Sequence, residues 1–258
     1  MADTPLLECR EISKAYGAVQ ALDKVDFEVA AGEVMALVGD NGAGKSTLIK
    51  CIAGIHAFDE GQIFVDGDPV TINGPRDVAK LGIEIVYQDL ALADNLDVVA
   101  NMYLGREAVF SGFLLSEYTM EESARKTLDT LSVTTLRSVR QAVAGLSGGQ
   151  RQAVAVAKAV MWNSRLVILD EPTAALGVAQ TRQVLDLVRR LSERGLGVVI
   201  ISHNLHDVFE VADRITVLRL GRRVALLDRA HTTQQEVVHA ITAGALDTVP
   251  GLEAKAEA

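Results

Sequence analysis

A glycine-rich segment, residues 39–47, constrains the fold of this chain more than any other feature. It reads Gly-Asp-Asn-Gly-Ala-Gly-Lys-Ser-Thr and follows an apolar run from Val34 to Val38. A buried strand, a glycine loop and a helix in this order predict a loop whose backbone N–H groups surround phosphate oxygens. Lys45 is expected to reach the β- and γ-phosphates of a nucleotide, and Ser46 to ligate Mg²⁺. The other expected phosphate contacts in this phosphate loop are Gly39, Asn41, Gly42, Ala43, Gly44 and Thr47.

A second apolar run, Leu166 to Leu169, ends in two acidic residues, Asp170 and Glu171. A strand of this kind delivers carboxylates to its C-terminal edge. Asp170 is expected to hold Mg²⁺, and Glu171 to polarise the attacking water as a general base. Such a pair is often merely solvated, so its functional interpretation depends on the phosphate loop upstream.

The pattern of strands and helices predicts an α/β fold with a helical insertion. Leu6 to Ile12 and Val25 to Val29 alternate in the manner of antiparallel edge strands. From residue 166 onward, strands and helices alternate, which predicts a mostly parallel sheet with helices on both faces. The predicted boundaries are a core of about 1–89 and 162–230, a helical subdomain of about 90–161, a single domain over 1–246 and a tail that frays over 247–258.

Composition excludes several functional classes. The net charge of −9 disfavours nucleic acid as a partner. No apolar run reaches the roughly 18–20 residues of a membrane span, and residues 1–5 do not resemble a signal peptide. We therefore expect a cytoplasmic location. Cys9 and Cys51 have no metal-binding or redox spacing, and we expect both to be reduced and structural.

The segment Leu146-Ser147-Gly148-Gly149-Gln150, called here the signature segment, precedes an apolar helical stretch that extends to about Met161. Ser147 can cap that helix, and the glycines leave amides exposed at its start. Together with the phosphate loop and the acid pair, this segment resembles that of the ATP-binding-cassette (ABC) transporter ATPases. The resemblance implies a phosphate-loop NTPase core with an antiparallel β subdomain and an inserted helical subdomain.

The resemblance also implies that two copies sandwich two ATP molecules with Mg²⁺. Residues Ser147, Gly148, Gly149 and Gln150 would then bind the ATP held by the second copy, with Ser147 and Gly149 on its γ-phosphate. Gln88 would touch Mg²⁺ or the attacking water, and His203 would contact the γ-phosphate within the same chain. Tyr16 would stack on adenine. His56 and His206 match no motif, and we interpret them as ordinary surface or capping residues.

One motif departs from the family. After Glu171-Pro172-Thr173 the usual Ser-Ala-Leu-Asp is replaced by Ala174-Ala175-Leu176-Gly177. The missing carboxylate puts the usual contact of this segment, the D-loop, across the dimer in doubt. The same segment, the phosphate loop and residues 87–107 resemble the ribose, xylose and fructose type of carbohydrate importer. The whole resemblance covers about residues 6–230.

For such an importer the resemblance implies several partners. They are a homodimer through the nucleotide sites, a separate membrane permease docked near residues 88–110 and an extracytoplasmic solute-binding protein, with the chain on the inner face of the cell membrane. Three alternatives stay open: a non-transport ABC ATPase of DNA repair or translation, a module that holds ATP without turnover, and transport of another solute. The acidic charge and the short insertion disfavour the first.

Overall fold

Two large β-sheets and the helices around them form the fold of residues 4–110 and 114–244, which the computed structural model describes. The strands are β1 Leu7–Tyr16, β2 Val19–Val29, β3 Val34–Val38, β4 Glu60–Val65, β5 Asp68–Val70, β6 Ile83–Val86, β7 Val109–Phe110, β8 Leu114–Leu115, β9 Leu166–Asp170, β10 Gly197–Ile201, β11 Arg214–Arg219 and β12 Arg222–Asp228. The helices are α1 Lys45–Ile52, α2 Pro75–Lys80, α3 Val98–Tyr103, α4 Glu117–Thr130, α5 Gly148–Val160, α6 Val178–Glu193, α7 Leu205–Val211 and α8 Gln234–Ala243.

The central sheet has the strand order β12-β11-β3-β10-β9-β6. All its neighbours are parallel except β12, which pairs antiparallel with β11. Every residue of β3 and β10 is buried, as expected for strands covered on both faces. The predicted mostly parallel sheet is confirmed. Because β3 and β9 flank β10, the phosphate loop and the acid pair leave the sheet at the same edge.

The second sheet is antiparallel, with the order β2-β1-β4-β5. The prediction that β1 is an edge strand is wrong, because it pairs with β2 on one side and β4 on the other. Its register shifts between Cys9 and Ile12, where Glu11 has a positive φ of 49°. Alternation of apolar and polar residues predicts a half-buried strand, but it does not show whether one strand or two pair with it.

Two buried clusters stabilise this arrangement. One lies between the two sheets and includes the inward face of α1, with Leu48, Ile49 and Ile52. The other lies on the opposite face of the central sheet and includes residues of α3 to α8. Cys9 and Cys51 are free and buried in the first cluster, as expected. Burial raises the pKa of both thiols, that of Cys51 to about 11, so neither is a reactive thiolate.

The insertion after residue 90 contains α3, α4 and α5, in agreement with its helical pattern. It also contains a small antiparallel hairpin, β7-β8, which we did not predict. The hairpin strands have two residues each and are exposed, so they carry no burial periodicity. The boundaries of this subdomain remain a prediction, and the tail at 247–258 lies outside the described residues. Within 4–110 and 114–244, no helix is both long and apolar enough to span a membrane.

Candidate nucleotide site

The phosphate loop connects β3 to α1 and depends on its glycines. Gly42 and Gly44 have φ values of 81° and 107°, which L side chains rarely adopt. A Cβ on Gly44 would lie 2.8 Å from the carbonyl oxygen of Ala21 in β2. The loop therefore approaches the antiparallel sheet closely, and only glycine fits there.

Lys45 begins α1 and folds back over the loop. Its Nζ donates to the carbonyl oxygens of Gly39 at 2.6 Å and Asp40 at 3.0 Å. Burial lowers the pKa of Lys45, against the opposing influence of Glu171, Asp40 and Asp170. The ammonium group is thus partly desolvated, which strengthens its attraction to an incoming anion, and the nearby carboxylates favour its charged form.

The acid pair follows directly from the register of the central sheet. Asp170 ends β9 beside Ile201 of β10, and the backbone N–H of Glu171 donates to the Ile201 carbonyl at 2.9 Å. Burial and then the charge of Glu171 raise the pKa of Asp170, while Lys45 and Lys50 oppose that shift. The protein thus holds concentrated negative charge facing the phosphate loop.

These elements enclose one open cleft with a volume of about 530 Å³. Its lining brings together most of the predicted site: Tyr16, Asn41, Gly42, Ala43, Gly44, Lys45, Ser46, Thr47, Gln88, Asp170 and Glu171. Gln88 lies in the turn after β6 and is exposed. Val19, Gln20 and Ala21 of β2 also line the cleft, and nothing in their residue types had predicted it.

Tyr16 is 44% exposed and stands at the end of β1. The ring of His56 meets it edge-on, with centroids 5.7 Å apart and planes at 77°. Our interpretation of His56 as an ordinary surface residue missed this contact. The sequence alone could not predict this contact, because Tyr16 and His56 are 40 residues apart and meet only in the folded chain.

His203 follows β10 and meets Glu171. Its Nδ1 lies 2.8 Å from Oε2 of Glu171. The side chain of His203 is 76% exposed and that of Glu171 only 17%. The structure therefore joins these two predicted residues at the cleft edge, with the histidine on the solvent side.

The signature segment begins α5 as expected, with Ser147 as its N-cap. Gln150 N donates to Ser147 Oγ at 3.3 Å, and Ser147 N donates to Gln150 Oε1 at 2.9 Å. Gln150 Nε2 also donates to the Thr135 carbonyl at 2.6 Å. Both polar ends of Gln150 are therefore occupied within the chain.

The two glycines of the signature segment differ in their surroundings. Gly148 is exposed, and Gly149 is buried against Gln180 of α6. Among the described residues, those lining the cleft of Lys45 include none from the signature segment. An exposed helix N-terminus outside its own cleft fits the expectation that it serves a second copy.

The cleft offers a donor set suited to Mg²⁺. Ser46, Gln88 and Asp170 supply a hydroxyl, an amide oxygen and a carboxylate on the same lining. Across residues 4–110 and 114–244, no group of three or more His, Cys, Asp or Glu side chains could hold a metal by itself. Magnesium usually takes one or two carboxylates and completes its shell with water and substrate phosphates, so these residues fit it.

Fold and cleft together define a phosphate-loop nucleotide-binding domain. The sequence profile described as "ABC transporter" matches residues 22–174, more than half of the chain. The chain belongs to the ABC transporter family. The predicted class, an ATPase that binds ATP, is confirmed at the level of this family.

Curated relatives agree over nearly the whole chain. The fructose import ATP-binding protein FrcA of Rhizobium meliloti is 47% identical over 94% of this chain and 95% of its own length. The xylose/arabinose import ATP-binding protein XylG of Sulfolobus acidocaldarius is 48% identical over 95% and 96%. The ribose import ATP-binding protein RbsA of Yersinia pestis is 41% identical over 92% of this chain but only 46% of its own length.

Solved structures agree with the fold. A nucleotide-free ATP-binding cassette from an ABC transporter superposes with a TM-score of 0.77 at 28% identity, covering 87% of this chain and 91% of that one. The ADP conformation of the ABC transporter cassette MJ1267 gives 0.77 at 27% identity, with coverage of 92% and 94%. The predicted fold class is therefore confirmed.

Proposed function

We propose that this chain is the ATP-hydrolysing subunit of a sugar importer. The observation that carries the proposal is the convergence of Lys45 and Ser46 with Asp170 and Glu171 on one cleft. The relatives at 41–48% identity are named as import ATP-binding proteins for fructose, xylose or arabinose, and ribose. The cleft supports ATP hydrolysis, and the names of the relatives support sugar import as the process that hydrolysis drives.

Within one chain, Lys45 would exchange the carbonyls of Gly39 and Asp40 for phosphate oxygens as ATP enters. The backbone N–H groups of residues 41–47 would hold the remaining phosphate oxygens. Bound Mg²⁺ on Ser46, Gln88 and Asp170 would neutralise phosphate charge. Glu171 would accept a proton from the attacking water through the carboxylate oxygen that His203 leaves free. Tyr16 would stack on the base.

A complete site would require two copies. Ser147 is exposed at the start of a 13-residue helix, away from the cleft of its own chain. With Gly149 it would bind the γ-phosphate held by the other copy, using the positive end of that helix. ATP would close the dimer because its γ-phosphate is shared, and hydrolysis would open it.

A permease would receive this motion, together with an extracytoplasmic solute-binding protein, at the inner face of the membrane. In the predicted docking region, residues 88–110, Val98, Val99 and Met102 are 1% exposed or less, whereas Leu104 is 47% exposed. Further exposed apolar side chains lie on the hairpin at the end of this region and at the start of α4. They are Val109, Phe110, Leu114, Leu115 and Tyr118, which are 55–79% exposed. This cluster supports docking of a partner protein.

Replacement of Glu171 by Gln tests the catalytic part of the proposal. Glu171→Gln should bind ATP, accumulate as an ATP-bound dimer and release little phosphate, because glutamine has the size of glutamate but cannot act as a general base. Light scattering with ATP and a phosphate-release assay measure both effects. Full turnover by this variant would refute the role of Glu171.

Paired replacements of Ser147 test the shared site. Asn and Asp are both good helix N-caps, so Ser147→Asn and Ser147→Asp should keep α5 intact. Only Asp places a negative charge against the partner's phosphate. Ser147→Asp should abolish the ATP-dependent dimer while ATP binding to the single chain stays unchanged, and Ser147→Asn should be milder. Equal behaviour of the two variants would contradict a site shared between copies.

The cargo can be tested by reconstitution of this chain with its permease and solute-binding protein. Fructose, xylose or ribose should stimulate ATP hydrolysis and accumulate in vesicles. Stimulation by an amino acid and none of the sugars would overturn the sugar assignment and leave the ATPase assignment intact.

A further inference from the structure

A buried hydrogen bond joins the turn after β9 to the helix after β10. Thr173 Oγ1 donates to Asp207 Oδ2 at 2.7 Å, and the two residues are only 8% and 2% exposed. We propose that Thr173 and Asp207 are positioning residues that hold Glu171 and His203 in register for hydrolysis. The inference rests on the roles proposed above for Glu171 and His203.

The register needs such a support because the sheet ends just before these residues. The last rung between the two strands is the bond from Glu171 N to the Ile201 carbonyl. Beyond it, one segment runs through residues 172–177 to α6 and the other enters α7. Within the described residues, two direct polar contacts cross between these segments beyond that rung: the ion-pair contact of Glu171 with His203 and the hydrogen bond of Thr173 to Asp207.

The two contacts differ in their exposure to water. His203 is 76% exposed, so water competes for its contact with Glu171. Thr173 and Asp207 are shielded, and a hydrogen bond in a low-dielectric interior is stronger and costly to leave unmade. Glu171 also has a φ of 50°, a left-handed conformation that persists only where its surroundings hold it. The buried bond of Thr173 lies two residues after Glu171, close enough to hold Glu171 in this conformation.

The same turn reaches the signature segment. Leu176 N donates to the Thr173 carbonyl at 3.2 Å, and the Leu176 side chain packs against Gly148, where a Cβ would lie 2.8 Å away. Gly177, which replaces the usual aspartate, has no side chain to anchor this D-loop. Thr173 therefore anchors the D-loop within the chain. Its hydrogen bond reaches α7, which follows His203, and the same turn packs against α5, which follows Ser147.

Three replacements of buried threonines test the proposal in the full chain. Thr173→Val keeps the volume and removes the donor, and Thr173→Ser keeps the donor. Thr216→Val is the matched control, since Thr216 is 1% exposed in β11, away from the cleft. Thr173→Val should lower kcat about tenfold or more through misplacement of Glu171, with the Kd for ATP within about twofold of wild type. Thr173→Ser and Thr216→Val should stay near wild type.

A second measurement is independent of hydrolysis. The ¹⁵N shift of His203 Nδ1, assigned by its loss in His203→Gln, should change in Thr173→Val and not in Thr173→Ser or Thr216→Val. An unchanged kcat and an unchanged shift in Thr173→Val would overturn the proposal. Equal losses in Thr173→Val and Thr216→Val would also overturn it, since they would reflect general destabilisation. Absence of turnover in the wild-type chain with its partners would count against the proposed function. The ¹⁵N shift of His203 would still test whether the Thr173–Asp207 bond positions this histidine.

Discussion

Replacement of Gly44 by alanine is the sharpest test of how the phosphate loop is held. Gly44 has a φ of 107°, and an added Cβ would lie 2.8 Å from the Ala21 carbonyl oxygen and 2.9 Å from Leu22 Cδ2. Close C···O contacts in proteins are about 3.3–3.6 Å, so the carbonyl of β2 would have to retreat by about half an ångström. A backbone atom inside a paired strand cannot retreat freely.

Gly42 provides the matched control within the same loop. Its φ is 81°, and a Cβ there would meet nothing within 4 Å. Both alanines incur left-handed strain of about 1–2 kcal/mol, and each variant gains about 0.4–1 kcal/mol from the reduced entropy of the unfolded chain. The entropy contributions cancel in the comparison, and the strain is at least as large at Gly44, whose φ lies further from the left-handed minimum. The main difference is the overlap at Gly44, which as overpacking costs about 1–3 kcal/mol.

Urea unfolding without nucleotide measures this difference. Gly44→Ala should unfold at a lower urea midpoint than Gly42→Ala, with similar m-values, by the equivalent of about 1–3 kcal/mol. The loss is large against a typical domain stability of about 5–15 kcal/mol. Equal midpoints for the two variants would refute the reasoning that β2 confines the loop.

Three further changes have predicted outcomes. Asp170→Asn should raise the melting temperature at pH 7, because burial raises the pKa of Asp170 and the charged form destabilises the fold above its ordinary pKa; the gain should vanish at acid pH, and a pH-independent gain would contradict this cause. Gly177→Asp should stabilise α6 by about 0.3–1 kcal/mol in urea unfolding, since the site is open and an acidic N-cap suits the helix dipole, whereas Gly177→Ala should not. Asp66→Asn should lower the free energy of unfolding by at most about 1 kcal/mol at pH 7, because Arg165 lowers the pKa of this exposed carboxyl. The stability advantage of the wild type should be present above the ordinary pKa of an aspartate and disappear as the pH falls through the lowered pKa of Asp66. It should also shrink in high salt.

Much of the fold could be predicted because its determinants are local. Buried runs such as Val34 to Val38 mark strands by their length and continuity, and the observed β3 has those bounds. Ser147 could be predicted as a helix cap because capping involves residues three positions apart. The hairpin β7-β8 was missed because its short exposed strands produce no burial pattern.

The sequence by itself determined the family, the phosphate loop and the residue types of the acid pair, since each is encoded in a continuous motif with its own backbone requirement. Only the tertiary structure decided which distant residues meet. It placed Ala21 beside Gly44, His56 against Tyr16, and Asp207 beneath Thr173. These contacts depend on the packing of one sheet on the other and on the order of strands in the central sheet. Neither the packing of the sheets nor the strand order can be predicted from the spacing of residues along the chain.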